Sequence, residues 1–143
     1  METPRPTAEG DVIPGVSHLI TQEGVGAYAE ASGDFNPIHL DPEFASQSHF
    51  GRRIAHGMMI AATVSELMAG AFGPDWARSG WMKLRFRAPV YPGDRVETRG
   101  TVKKVEDLDG GGRRITCTVK TVREPGDHEE VAIIAQTSVV MTD

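Results

Sequence analysis

Basic charge, cysteine and long apolar runs are all scarce in this sequence, and each shortage removes a class of function. Lys and Arg number 15 against 20 Asp and Glu, a net charge of −5, so the surface repels polyanions and nucleic-acid binding is not expected. Cys117 is the one cysteine, so no intrachain disulfide can form. Met1 to Pro6 lack the basic and then apolar pattern of a secretory leader, and the expected location is the reducing cytoplasm. The longest stretches without formal charge, Ile54 to Ser65 and Val131 to Thr142, fall short of the roughly 20 residues that cross a bilayer, so no membrane partner is expected. Neither a His-Glu-x-x-His metal motif nor a Gly-x-Ser-x-Gly nucleophile elbow occurs.

What is present reads as one packed domain. Apolar residues make up 39% before the 16 glycines are added, and 143 residues suit a single core. Residues 1–10, with Pro4, Pro6 and Gly10, read as a flexible arm ahead of a single domain over 11–143. Val12 to Ile20 reads as a strand. Thr21 caps a helix over 22–32, with Glu23 in its first turn and Gly33 as its left-handed terminator. Gly24 and Gly26 weaken this helix by about 1 kcal/mol each, so packing of Val25, Tyr28, Ala29 and Ala31 has to hold it. The residue before Pro37 is pushed toward extended backbone, and Asp34 to His39 reads as a stiff non-helical segment. Asp41 then caps a short helix with Pro42 at its first position.

Ala55 to Phe72 is apolar almost all round, the mark of a helix wrapped by other structure, with roughly 16 helical residues. From Trp81 the period becomes two: Met82, Leu84, Phe86 and Ala88 alternate with Lys83, Arg85 and Arg87. Three further strand-like runs, near 95–105, 113–123 and 131–141, are separated by turn chemistry at 107–112 and 124–128. The order is strand, helices, then a four-stranded meander. It predicts an α+β fold, an antiparallel sheet on one helix.

Two segments carry candidate chemistry. Asp34 and His39 are an acid and an imidazole held five positions apart in a proline-stiffened stretch, suited to positioning one water and moving its proton. Gly57 stands at the start of the buried helix, where unpaired N–H groups and the absent side chain let a ligand oxygen approach as in an oxyanion hole. Ser65, two turns on and sharing a helix face with Gly57 and Ala61, either braces Asp34 or His39 or bonds back to its own helix. His39, His49 and His56 match no common metal-ligand spacing, and no metal is expected. Lys83, Arg85 and Arg87, with Arg52 and Arg53, read as a solvated basic stripe, and Cys117 as a buried, unreactive thiol.

Ala31-Ser-Gly-Asp-Phe-Asn-Pro-Ile-His39-Leu-Asp-Pro-Glu-Phe-Ala45, followed by Phe50-Gly-Arg-Arg-Ile-Ala-His-Gly-Met58, closely resembles the hydratase 2 signature of MaoC-like (R)-specific enoyl-CoA hydratases. Arg85 to Asp94 is similar to that family's second recurring segment, so the resemblance covers most of residues 12–141. It implies the hot-dog fold, a sheet wrapped round a long central helix. It also implies reversible syn hydration of a trans-2-enoyl thioester to a (3R)-3-hydroxyacyl thioester, with no metal and no cofactor. Under it Asp34 and His39 are the catalytic dyad, Gly57 is the oxyanion donor, and Ser65 and Asn36 support the dyad. The substrate is acyl-CoA or an acyl carrier protein thioester, and the short single repeat implies a homodimer. A hot-dog thioesterase is the alternative enzyme, with Glu66 as its one helix carboxylate; a non-catalytic acyl-thioester binding subunit is the alternative of another class.

Overall fold

The computed structural model describes residues 4–142. β1 (Val12–Leu19) leads to Thr21, whose extended backbone and hydroxyl start α1 (Gln22–Ser32) by accepting the Gly24 N–H at 2.9 Å. Gly33 ends α1 in the left-handed conformation at φ 78°, donating its N–H to Ala29 O. The helix buries Val25 and Ala29, whereas Ala31 is exposed, so a narrower stripe than the sequence suggested holds the glycine-weakened helix in place.

The next segment departs from the expectation of wholly non-helical backbone. Asn36 is extended ahead of Pro37, as the proline demands, but its side chain accepts the Ile38 N–H at 3.1 Å and Pro37 opens a single helical turn, α2 (Pro37–Leu40). Asp41 caps α3 (Pro42–Ser46) through the N–H groups of Glu43 and Phe44, as expected. The apolar stretch forms α4 (Gly57–Phe72), 16 residues long, and α5 (Pro74–Ser79) follows it.

β2 (Trp81–Phe86), β3 (Arg95–Asp107), β4 (Arg113–Arg123) and β5 (Glu130–Met141) complete one antiparallel five-stranded sheet, in the order β1-β3-β4-β5-β2. The predicted four-stranded meander is therefore corrected: only β3, β4 and β5 run as neighbours in sequence. β2 pairs with β5 at the far edge, from Trp81 opposite Ser138 to Phe86 opposite Ile133. Ladder pairing stops after Phe86 because the Arg87 and Ala88 N–H groups both turn to Ala132 O. The chain then crosses to the other edge, fixed by Ala55 N–H on Val90 O at 2.8 Å and Gly93 N–H on Ile20 O at 2.7 Å. Alternation in sequence marks a strand but says nothing of its neighbour, which is settled by this crossing.

The sheet closes on α4, which buries Ile60, Val64, Leu67, Met68 and Phe72 against Val96, Val102, Ile115, Ile133 and Val139. Gly100 on β3 allows the approach: a Cβ there would stand 2.9 Å from Leu67 and 3.1 Å from Ile13. This is the expected hot-dog arrangement, an α+β fold with a sheet wrapped round a central helix. Among the described residues no helix is long and apolar enough to cross a membrane. Of the expected arm, Met1 to Thr3 lie outside the described residues; Arg5 pairs with Asp75, and the Gly10 N–H bonds Val102 O at 2.8 Å.

A buried hydroxyl cluster joins helix to sheet. Thr63 on α4 donates to Ile60 O at 2.7 Å, and its oxygen lies 2.7 Å from Thr98 Oγ1, which is 2.7 Å from Thr121 Oγ1. Thr63 and Thr121 are also 3.3 Å apart, so Thr98→Val keeps the shape, removes the two short contacts and leaves only the long one in the core. The expected loss is about 1–3 kcal/mol in urea unfolding; an unchanged midpoint would show that the cluster contributes nothing.

Candidate active site

The site lies where α1 ends, α2 begins and α4 starts. Asp34 follows the αL glycine, and its carboxylate accepts the Asn36 N–H at 3.2 Å, an Asx turn that aims the acid back over the loop. Asn36 thus serves Asp34 through its backbone, while its side chain caps α2. That turn raises His39, 8% exposed, whose Nδ1–H donates to Ile54 O at 2.8 Å. Nε2 is left as the nitrogen free to exchange a proton. The Gln22 side chain donates to His39 O at 2.9 Å and ties the turn to α1.

His56, 2% exposed, reaches back to Asp34. Its Nε2–H donates to the Asp34 carbonyl at 2.9 Å, and its ring stacks on that of His39 with centroids 3.8 Å apart. Asp34, His39 and His56 each bring a carboxylate oxygen or ring nitrogen within 4.8 Å of the other two. Two acceptors bridged by one water sit roughly 4.5 Å apart for hydrogen bonds near 2.8 Å, so an acid and an imidazole this close are within reach of one shared water. An acid and two imidazoles also form a possible metal-ligand set. The stacking opposes it, because the in-plane lone pairs of two nearly parallel rings run alongside each other and do not converge on one ion.

Gly57 is the first residue of α4, so its N–H has no acceptor within the helix, and it is exposed. A Cβ on Gly57 would meet the Phe86 ring at 3.1 Å, so the missing side chain lets β2 close over the helix start. There Gly57, Ile54, Ile60, Phe86, Val90 and Ile133 line a predominantly apolar cavity of about 310 Å³.

Ser65 falls outside this grouping. Its hydroxyl accepts the Trp76 indole N–H at 3.0 Å, and eight residues of α4 separate it from Gly57, roughly 12 Å at 1.5 Å per residue. The alternative helix carboxylate, Glu66, pairs with His18 at 2.6 Å on the exposed side of α4. Of the basic stripe, Lys83, Arg85 and Arg87 are exposed, Arg52 lies over the Tyr91 ring at 4.0 Å, and Arg53 donates to Leu40 O. His49 packs on Phe50, away from the other two histidines. Cys117 is buried, and burial pushes its thiol up to about 11, in keeping with an unreactive residue. Sequence reasoning missed Gln22 and the bracing contacts of His56. The His-Gly step marked the glycine as a site, but ring stacking and a bond to a distant carbonyl have no sequence signature.

A sheet wrapped on a central helix places the chain in the hot-dog class, with an acid, an imidazole, a helix N-terminus and an apolar cavity gathered in one region. The MaoC-like domain family matches residues 6–124. The 3-hydroxyacyl-thioester dehydratase Z of Mycobacterium tuberculosis (strain ATCC 25618 / H37Rv) is 37% identical over 124 residues, covering 84% of this chain and 81% of that protein. Among solved structures, the (R)-hydratase from Aeromonas caviae involved in PHA biosynthesis has a TM-score of 0.75 at 29% identity, covering 95% of this chain and 97% of that one. The unliganded R-hydratase PhaJ1 from Pseudomonas aeruginosa has a TM-score of 0.78 at 25% identity, covering 95% and 83%. The chain belongs to the MaoC-like domain family, and with relatives named as dehydratases and hydratases it is a hydro-lyase.

Proposed function

We propose that this protein catalyses reversible syn addition of water to trans-2-enoyl thioesters, giving (3R)-3-hydroxyacyl thioesters, with the acyl group carried on coenzyme A or an acyl carrier protein. The observation that carries the reading is the spacing of the Asp34 carboxylate and the His39 imidazole, within 4.8 Å, next to a free helix N-terminus and an apolar cavity. The thioester carbonyl accepts from Gly57 N–H while the acyl chain enters the cavity. Water held by Asp34 and His39 adds its oxygen to C3, and one of the pair takes a water proton. Charge developing on the thioester oxygen is met by the Gly57 N–H and the positive end of α4. A proton returned to C2 from the same face completes the addition and restores the pair.

Mixing the protein with crotonyl-CoA and longer trans-2-enoyl-CoAs tests this. Loss of the conjugated-thioester ultraviolet absorbance, with an (R)-3-hydroxyacyl product, is expected. Release of free thiol without hydration would replace the reading with a thioesterase, and tight binding without turnover would replace it with a binding subunit.

Gly57 offers an internal control. Alanine and proline both press a Cβ toward Phe86, but only proline deletes the N–H, and proline is tolerated at the first helical position behind an extended residue such as His56. Gly57→Ala should lose less than tenfold in turnover, and Gly57→Pro a further factor of about 10²–10³, the scale of one oxyanion donor. Equal activities would remove the N–H from the mechanism.

The assembly is proposed to be a homodimer. β2 is an edge strand, and Trp81 and Phe86 on it are 50% and 54% exposed, with Met58 at 59% beside the site entrance. A monomeric mass at micromolar concentration would refute this. The single free, buried cysteine fits action in the reducing cytoplasm.

A further inference from the structure

His56 has no part in the reaction as derived, yet its side chain is placed at a local cost. It is the N-cap of α4, a position where a side chain ordinarily accepts the N–H of the second or third helical residue. His56 makes no such bond, and only its backbone carbonyl serves the helix, accepting from Met59 and Ile60. Among the described residues its Nδ1 is buried with no hydrogen-bond partner. A residue selected for helix capping or plain packing would have neither feature. Both follow from one orientation, in which Nε2–H holds the Asp34 carbonyl, one ring face covers His39, and Tyr28 lies 4.7 Å away.

We propose that His56 is a positioning residue that holds the acid and the imidazole in register with the oxyanion donor. The inference rests on the hydratase reading and adds a residue to it. The bond from His39 Nδ1 to Ile54 O holds one edge of the His39 ring. Stacking on His56 fixes the plane, and so the direction in which Nε2 faces the water. The bond to Asp34 O fixes the loop that carries the carboxylate. Because the next residue is Gly57, all three groups share one rigid reference, the start of α4. Gln22, which holds His39 O from α1, supports the far end of the same turn.

Two substitutions separate the contacts. His56→Phe keeps a ring for stacking and deletes the donor; His56→Gln keeps an amide donor at similar reach and deletes the ring. Expected with crotonyl-CoA is a 10–100-fold fall in kcat for His56→Phe, with KM within about threefold of wild type, and a smaller fall in kcat for His56→Gln. In ¹⁵N-histidine spectra of the free proteins, the His39 ring resonances should broaden or split in His56→Gln, which loses the stacking ring, and stay sharp in His56→Phe. Folded variants with wild-type kcat and lowered thermal stability alone would overturn the proposal and make His56 structural. If the wild-type protein hydrates no enoyl thioester, the hydratase reading fails separately, and the spectra still decide this one. His39 resonances that stay single and sharp in His56→Gln overturn it, and resonances that broaden or split there uphold the clamp. Should His56→Phe not fold, His56→Gln supplies both readouts.

Discussion

Asp34→Asn and His39→Gln are each expected to lower hydration of crotonyl-CoA by a factor on the order of 10²–10⁴ while leaving the fold intact. The amide introduced by Asp34→Asn would retain an oxygen for the Asn36 N–H, so the Asx turn survives and only the ability to take or give a proton is lost. Asp34 is exposed, so little desolvation is at stake. His39 is buried, and its Nδ1–H serves Ile54 O; a third variant, His39→Asn, places an amide donor near Nδ1 and deletes Nε2. Its activity should fall as far as that of His39→Gln, at a smaller cost in stability. Steady-state rates beside thermal midpoints decide the matter. Near-normal turnover in Asp34→Asn would remove proton transfer from Asp34, and loss of activity tracking loss of fold would make His39 a packing residue.

The largest expected effect on stability lies outside the site. Asp94, 5% exposed, accepts Arg123 through Nε at 2.7 Å and Nη2 at 2.9 Å, a two-bond fork, and also accepts the Tyr91 N–H at 2.9 Å. Burial acts to raise this carboxyl, but the bonds from Arg123 and Tyr91 outweigh it and hold the group below the usual carboxylate range. The clamp ties the turn after β2 to β4, and that turn in turn bonds Ala55 through Val90 O, one residue from His56. Asp94→Asn should cost about 3 kcal/mol at pH 7, the low end for breaking a buried pair, because Arg123 keeps 21% side-chain exposure and Glu130 as a second partner. A carboxyl depressed in the folded state stabilises above its unfolded value, near 3.9, and loses that contribution as pH falls through the folded value. Urea midpoints at pH 7, 5 and 3 should therefore show the gap between wild type and Asp94→Asn narrowing toward acid. Parallel curves would mean the ion pair carries no net stability.

Much of this molecule was legible as local pattern. Thr21 and Gly33 bound α1, Asp41 caps α3, and the apolar stretch from Gly57 to Phe72 is the central helix, because caps, turns and periodicity act within a few residues and leave their mark in the residues themselves. The acid, the imidazole and the glycine stood out for the same reason: a proline-stiffened loop and a helix start constrain neighbours in the chain. Asn36 shows the margin, since its extended backbone was foreseen and the helical turn opened by its side chain was not. The order of strands was not legible, because β2 joins β5 only after the 87–94 crossing fixes which edge it is left on. Ser65 was expected by its spacing to share a helix face with Gly57 and Ala61 and to brace Asp34 or His39, yet its hydroxyl accepts from Trp76 on α5, a partner supplied only by the packed chain. The bracing of the site by His56 and Gln22 has the same origin. Local interactions along the chain marked most of the elements and the chemical groups, though not α2 or α5; which strand borders which, and which ring faces which, came only with packing, because those contacts join residues far apart in the chain whose pairing no local energy prefers.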